Sequence, residues 1–382
     1  MSDTFFHGVR VTEVNEGARD LQVASTSIIG LVGVAPAADA DAFPLNTPVL
    51  VTSLTQAIED LGETGTLADA LAAIYDQATP VVIIVRVAAG TGQTAAADTL
   101  TNLIGAAGAK TGVYALLGAE ATCGVRPRIL ATPGFGAQTV TAALVTVAKK
   151  LDAFVYAGCD TADTVAEALT YRAQFSAREL MLIYGDFSSG DAVARACGLR
   201  AQIDEEQGWH VSLSNKTVNG VTGAVPPIYF DLQDPSSESG TLNAGDVTCI
   251  ISRNGYRFWG NRTCSDDPLF AFEAYVRTAQ VIKDTIARGL MWAVDKPLHP
   301  TLARDIIETI NAEFRELKAA GRIIDGKAWL DPTLNTAATL AAGKLAIDYD
   351  YTPVPVLEDL SLNQRITDRY LVGFADEVNG AA

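Results

Sequence analysis

Histidine is nearly absent from this chain: three stand in 382 residues, His7, His210 and His299. A serine or cysteine relay needs a histidine base, and zinc sites commonly use one. No two of the three lie near each other in sequence, so helix capping or solvent exposure is expected for each. Cysteine does not fill the gap. Cys123, Cys159, Cys197, Cys249 and Cys264 are odd in number, widely spaced and without a C-x-x-C pair. That argues against a disulfide framework or a metal site and for small buried residues in a reducing compartment. Aromatics are sparse at 7%. Positive charge is also in deficit: the formal net charge is −17, which argues against nucleic-acid binding through a basic face. The start, Met1-Ser2-Asp3-Thr4-Phe5-Phe6, has neither a basic nor an apolar signal region, and no apolar run approaches a membrane span. Neither secretion nor membrane contact is expected.

Catalytic motifs fail on spacing. Gly105-Ala106-Ala107-Gly108-Ala109-Lys110-Thr111 looks like a phosphate loop, but its glycines are too close and Ala109 precedes the lysine. A phosphate-wrapping backbone needs glycine there. Gly90-Thr91-Gly92 follows a strand but lacks the third glycine of a dinucleotide turn. Gly185 to Gly190 approaches a nucleophile elbow, yet neither Ser188 nor Ser189 is central and no histidine is placed to serve it. Acidic pairs such as Glu205-Glu206 and Asp266-Asp267 read as solvent-facing. No catalytic residue, cofactor or metal ligand is expected.

What is present is ordinary globular material, 48% hydrophobic and 19% charged, long enough for two or three domains. The charge is uneven. Residues 1–250 carry 13 basic against 27 acidic residues, whereas residues 251–331 carry 12 against 11. An acidic body and a near-neutral, arginine-bearing region suggest two faces with different surroundings.

The apolar pattern predicts strands at 27–33, 49–51 and 81–87, with Ser53 capping a helix and another helix over 66–77. Helix 98–106 then precedes strand 113–117, and strands 128–132, 153–157 and 180–184 precede helices 137–150, 161–174 and 191–206. Strands alternating with helices imply a largely parallel α/β layer. Loops rich in glycine, proline, asparagine and serine fill 209–245. Strands at 247–252 and 255–260 follow, then helices over 269–294 and 301–320, and strands over 344–351 and 354–362. Both ends read as strands. Val9 and Val11 alternate with Arg10 and Thr12, ahead of Val14; Tyr370, Val372 and Phe374 alternate with Leu371 and Gly373. An extended tail presents unpaired N–H and C=O groups to which another chain can pair; pairing within the same chain is the simpler alternative.

One stretch is specific. Gly255-Tyr256-Arg257-Phe258-Trp259-Gly260-Asn261-Arg262-Thr263-Cys264-Ser265-Asp266-Asp267-Pro268-Leu269-Phe270 resembles the signature of contractile tail sheath proteins. There a strand carrying Trp259, Gly260, Asn261, Arg262 and Thr263 leads through an acidic turn, with Asp266 and Pro268, to a long helix. Phe6 to Val14, Ser25 to Gly33 and Phe43 to Pro48 resemble the sheath N-terminal region in the same order. The match is to the short sheath type of simple contractile phages and R-type pyocins, the headless tailocins. Cys264 departs from the pattern, where a small or apolar residue is expected.

The resemblance implies an α/β fold: an outer α/β domain over 25–246 and an inner, tube-facing α+β sheath domain over 247–359. It also implies strand arms at 1–24 and 360–382. Through Val9, Val11, Val14, Tyr370, Val372 and Phe374 these arms would pair with sheets of neighbouring subunits. It implies hexameric rings stacked as a helical polymer around an inner tail tube protein, with baseplate and tail terminator proteins as further partners. Contraction would drive the tube through a bacterial envelope. The particle would be a virion tail or a tailocin, assembled in the host cytoplasm. Arg304, Arg315, Lys318, Arg322 and Lys327 are the candidates for facing an acidic tube; pairing with Asp305, Glu308, Glu313 and Glu316 on the same helix is the plainer alternative. A secretion-system sheath, usually built of two chains, and an α/β enzyme are the competing readings.

Overall fold

Six strands form the centre of the molecule because their sequences leave almost no position to face water. The protein is seen in a computed structural model that describes residues 25–188 and 192–380. In chain order the elements are β1 (Ile29–Val34), β2 (Pro48–Val51), α1 (Leu54–Leu61), α2 (Leu67–Tyr75), β3 (Val82–Val87), α3 (Ala95–Ile104), α4 (Ala119–Cys123), β4 (Ile129–Ala131) and α5 (Gln138–Leu151). There follow β5 (Phe154–Gly158), α6 (Val165–Arg172), β6 (Leu180–Tyr184), β7 (Asp186–Phe187), α7 (Ala192–Glu206), β8 (Ala224–Val225), α8 (Glu238–Ala244), β9 (Val247–Ser252) and β10 (Tyr256–Trp259). The last part holds α9 (Glu273–Gly289), α10 (Pro300–Ala319), β11 (Ile323–Trp329), α11 (Ala337–Ala341), β12 (Asp348–Pro353) and α12 (Phe374–Gly380).

The main sheet has the order β10-β9-β6-β5-β4-β1-β3-β2. The inner six strands are parallel, and β2 and β10 close the edges antiparallel. Alternation sorts the side chains: Ile29 and Leu31 face a layer with α1, α2 and α7, while Val32 and Val34 face the layer of α3, α5 and α6. Coverage on both faces is why these strands are continuously apolar. Helix α7 approaches α2 closely at Gly198, where an added Cβ would stand 2.9 Å from the Cα of Ile74.

A smaller module sits beside this body. Ile306, Ile310, Phe314 and Leu317 form one stripe of α10 and pack with Ile323 and Ala328 of β11 and with Val281, Ile282 and Ile286 of α9. Strands β11 and β12 pair antiparallel, Ala328 opposite Tyr349 and Gly326 opposite Tyr351. They form a sheet of two strands, so each keeps an unpaired outer edge among the described residues.

The structure agrees with the expected α/β class and corrects several elements. The boundary expected between 246 and 247 falls inside the main sheet, because β9 pairs with β6 and β10 with β9. Residues 209–245 are an excursion that returns to the sheet, which composition cannot tell from a linker. Residues 112–118 form a 3-10 helix in place of a strand at 113–117. The helix expected over 269–294 is α9 flanked by two 3-10 turns, Pro268–Phe270 and Met291–Ala293. Ser53 stands at the N-terminus of α1 without a side-chain capping bond.

No strand forms over 354–362. The expected strand at Tyr370, Val372 and Phe374 is likewise replaced, by a 3-10 turn at Arg369–Leu371 and then α12. A strand needs a partner's backbone groups; a lone segment satisfies its own by local turns. Val9, Val11, Val14 and His7 lie outside the described residues.

Candidate functional site

The signature segment is a structural corner. Gly260 has φ +143°, and an added Cβ would stand 2.7 Å from the Cα of Thr248, so neither conformation nor space admits a side chain. Past it, residues 261–263 run antiparallel to 270–273. The Asn261 carbonyl accepts from the Glu273 N–H at 3.0 Å, and the Thr263 N–H donates to the Ala271 carbonyl at 2.8 Å. The Thr263 hydroxyl donates to the Phe270 carbonyl at 2.8 Å. Asp267 accepts the Leu269 N–H at 2.9 Å and opens the turn that Pro268 begins. Trp259 packs edge-on to Phe230 at 5.1 Å. Cys264 is fully buried, its N–H donating to the Leu180 carbonyl at 2.9 Å, and burial pushes its thiol up to about 12. It fills the small apolar position the pattern calls for.

Arg262 points elsewhere. Its Nε and Nη2 donate to the two oxygens of Glu358 at 2.8 and 2.7 Å. Its Nη1 stands 3.6 Å from Asp246, and its guanidinium lies 5.5 Å from the Phe272 ring centre. The corner thereby holds the chain that leaves β12.

Beyond the corner, α9 docks on the body through charge. Glu273, Arg277, Asp284 and Arg288 fall within one narrow stripe of the helix. Glu273 accepts from the Tyr156 hydroxyl of β5 and faces Arg200 of α7 at 3.4 Å. Arg200 pairs with Asp204 at 2.7 Å and donates to the Val211 carbonyl at 2.6 Å; Arg277 pairs with Asp204 and reaches the Thr26 carbonyl at 3.3 Å. Burial opposes the Arg200 charge, but Asp204 and Glu273 outweigh it and hold its pKa above the ordinary value. Burial, then Glu273, pushes Tyr156 well above the usual phenol range. Farther along, Asp284 pairs with Arg128, with Arg126 at 3.5 Å and with Arg288 at 3.0 Å; Arg288 also reaches Glu120 at 3.0 Å. Burial alone would raise the Asp284 carboxyl, yet its arginines hold it below the usual range. Sequence reasoning missed this row. Its signal was there: charges at 273, 277, 284 and 288 repeat at helical spacing.

The five tube-facing candidates are not gathered into one site. Arg304, Glu308 and Arg315 share the outward stripe of α10, where Arg315 pairs with Glu308 at 3.6 Å. Lys318 pairs with Asp325 at 2.6 Å. Arg322 lies 4.5 Å over the Trp209 ring and is half-buried. Arg304 and Lys327 are exposed. The buried carboxylate on α10 is Glu313, on its inner side. His299 stands exposed at the N-terminus of α10. His210 is half-buried against Trp209, so it is neither a cap nor fully exposed.

No group of acidic, histidine or cysteine side chains suited to a metal occurs among the described residues, and none of their helices is long and apolar enough to cross a membrane. Cys159, Cys197, Cys249 and Cys264 are buried and Cys123 is half-buried, and no disulfide joins any two of them among the described residues.

Three family models match this chain in sequence order. The tail sheath protein Gp18 domain III N-terminal region matches residues 26–87, the phage tail sheath protein central domain residues 108–264, and the phage tail sheath C-terminal domain residues 265–367. The tail sheath protein of Escherichia phage P2 is 52% identical, covering 99% of this chain and 100% of its own length. The major tail sheath protein of Serratia phage KSP20 is 45% identical over all of both chains. In fold the chain is similar to the contracted helical sheath of the anti-feeding prophage, with a TM-score of 0.71 at 16% identity, covering 94% of this chain and 98% of that one. It is similar also to the contracted PVC sheath of an extracellular contractile injection system, with a TM-score of 0.69 at 16% identity, covering 97% and 100%.

Proposed function

The chain belongs to the phage tail sheath family, and from that membership we propose how its parts serve assembly. It is a structural subunit of a contractile tail sheath and a component of a tail particle, with no enzymatic role. In the proposed arrangement, subunits form hexameric rings stacked around an inner tube and joined to baseplate and terminator proteins, all assembled in the host cytoplasm. Contraction is a change between two packings of the same subunits, the contracted one lower in free energy, which carries the tube through the bacterial envelope.

The observation that carries the linking part is the pairing of an open sheet with a spare tail. The β11–β12 sheet has two unpaired edges among the described residues. Residues 359–368 are exposed, with Leu360, Leu362 and Ile366 between 67% and 97% accessible and none of the three covered among the described residues. Edges accept strands, and tails of this kind supply them. The N-terminal residues Val9, Val11 and Val14 belong to the same reading, as do Tyr370, Val372 and Phe374 once a neighbour supplies backbone partners. Arg304, Arg315, Lys318 and Lys327 are assigned to an acidic tube surface; Arg322 is mostly committed to Trp209. Many weak exposed pairs suit a sheath that must slide on its tube, since each contributes below about 1 kcal/mol.

Negative-stain microscopy of the purified protein tests the reading. Long, ribbed, hollow tubes are expected from the full chain. Chains lacking residues 1–14 or 359–382 should stay folded and monomeric; tubes formed by either truncated protein would overturn the assignment of that arm.

A further inference from the structure

We propose that Arg262 and Glu358 form a releasable latch that sets where the free C-terminal arm begins. The inference rests on the reading of that tail as an arm. Strand β12 ends at Pro353, and the chain stays on the body for five more residues. Val354 and Val356 are half-buried, and Val356 to Glu358 close one side of a cleft of about 610 Å³ whose far wall includes Asn215, Asn243 and Trp259. The last contact is the two-bond grip of Arg262 on Glu358. Among the described residues, no hydrogen bond or ion pair ties residues 359–367 to the body.

The grip is built to let go. Both side chains are partly exposed, 38% for Arg262 and 39% for Glu358. A planar two-bond pair fixes geometry well, but an exposed one is screened by salt. Arg262 does not depend on Glu358 alone: Asp246 at 3.6 Å and the Phe272 ring at 5.5 Å keep the guanidinium in place when the carboxylate leaves. The released Glu358 simply returns to water. The segment it frees holds no regular strand or helix to break. With the latch closed, the arm starts at Asp359. With it open, the arm starts at Val354, and five extended residues add about 17 Å of reach. A subunit that moves relative to its neighbour can therefore lengthen its connection without pulling a paired strand apart.

The test is limited proteolysis of the full chain, kept monomeric at low protein concentration, with a protease of broad specificity and the cuts mapped by mass spectrometry. Residues 354–358 should be protected in low salt and lose protection several-fold as salt rises. Glu358→Gln and Arg262→Gln should each remove that protection and its salt dependence, with β11 and β12 unchanged, and the double variant should be cut no faster than either single one. Protection that is insensitive to salt, or that survives Glu358→Gln, overturns the latch. Deleting residues 359–382 leaves the latch intact while removing the arm. Protection kept in that variant together with unimpaired tube formation would reject the arm reading and retain the latch contact. Loss of protection in it would show that the tail, and not Arg262, holds the segment, and would overturn the latch.

Discussion

Arg200 of α7 and Glu273 at the first turn of α9 face each other 3.4 Å apart with their side chains 0% and 1% exposed. Neither can shed its charge to solvent, and each has a second partner, Asp204 for the arginine and Tyr156 for the glutamate. A buried pair of this kind adds less stability than its Coulomb attraction implies, because both groups were stripped of water. Losing one member is a different matter.

Replacing Glu273 by Ala leaves Tyr156 without its acceptor and Arg200 with a single carboxylate. A loss of about 3–5 kcal/mol is expected, read as a lower denaturant midpoint with unchanged slope. A loss below about 1 kcal/mol would mean that the row orders α9 without stabilising it.

Asp284 gives the body an acid limit. Its folded pKa lies below the ordinary carboxylate value of 3.8, so its contribution is present above that value and disappears as pH falls through the folded one. Stability measured between pH 6 and about 2 should fall more steeply in the wild type than in Asp284→Asn. The variant should be weaker at neutral pH by about 3 kcal/mol. Parallel pH profiles would count against the assignment.

His210 titrates in a milder range. Burial first, then Arg322 and Arg200, lowers its pKa below 6.5, with Asp204 pulling the other way. The folded state prefers the neutral ring, so stability holds above the unfolded pKa and is lost as pH falls through the folded one. The slope just below pH 6.5 should flatten in His210→Gln. An unaltered slope would place the titration elsewhere.

Arg315→Glu combined with Lys318→Glu should leave the denaturation midpoint of the monomer almost unchanged, since both residues are exposed and pair with the exposed Glu308 and Asp325. Assembly on preformed tubes should weaken, most at low salt. Normal extended sheath from this variant would remove both residues from the tube surface.

The buried sheet was legible because β1, β3, β5 and β6 are apolar runs between turn signals. The run Val113 to Leu117 has the same look, yet Gly112 at φ +58° turns the chain and a 3-10 helix results. Strand β11 was missed for a physical reason: a register shift between Ile323 and Asp325 breaks the period-two pattern, leaving Ile323 and Ala328 as the residues facing in. The signature was legible as a string, but its purpose was not. That Arg262 reaches Glu358 across 96 positions follows from the corner at Gly260 and from the path of β12, neither of which local pattern records.

Helix α9 carries its charges toward the body and Ile282 and Ile286, nearly opposite, toward the smaller module. From Glu273 to Arg288 the row runs for roughly 22 Å at the rise of an α-helix. A tug on the β11–β12 edge therefore arrives at the large sheet as shear along a rivet line, shared among Arg200, Asp204, Arg128 and Glu120 together. Rivets loaded side by side fail only as a set, so the subunit can bear traction in a moving lattice while its own two halves keep their alignment.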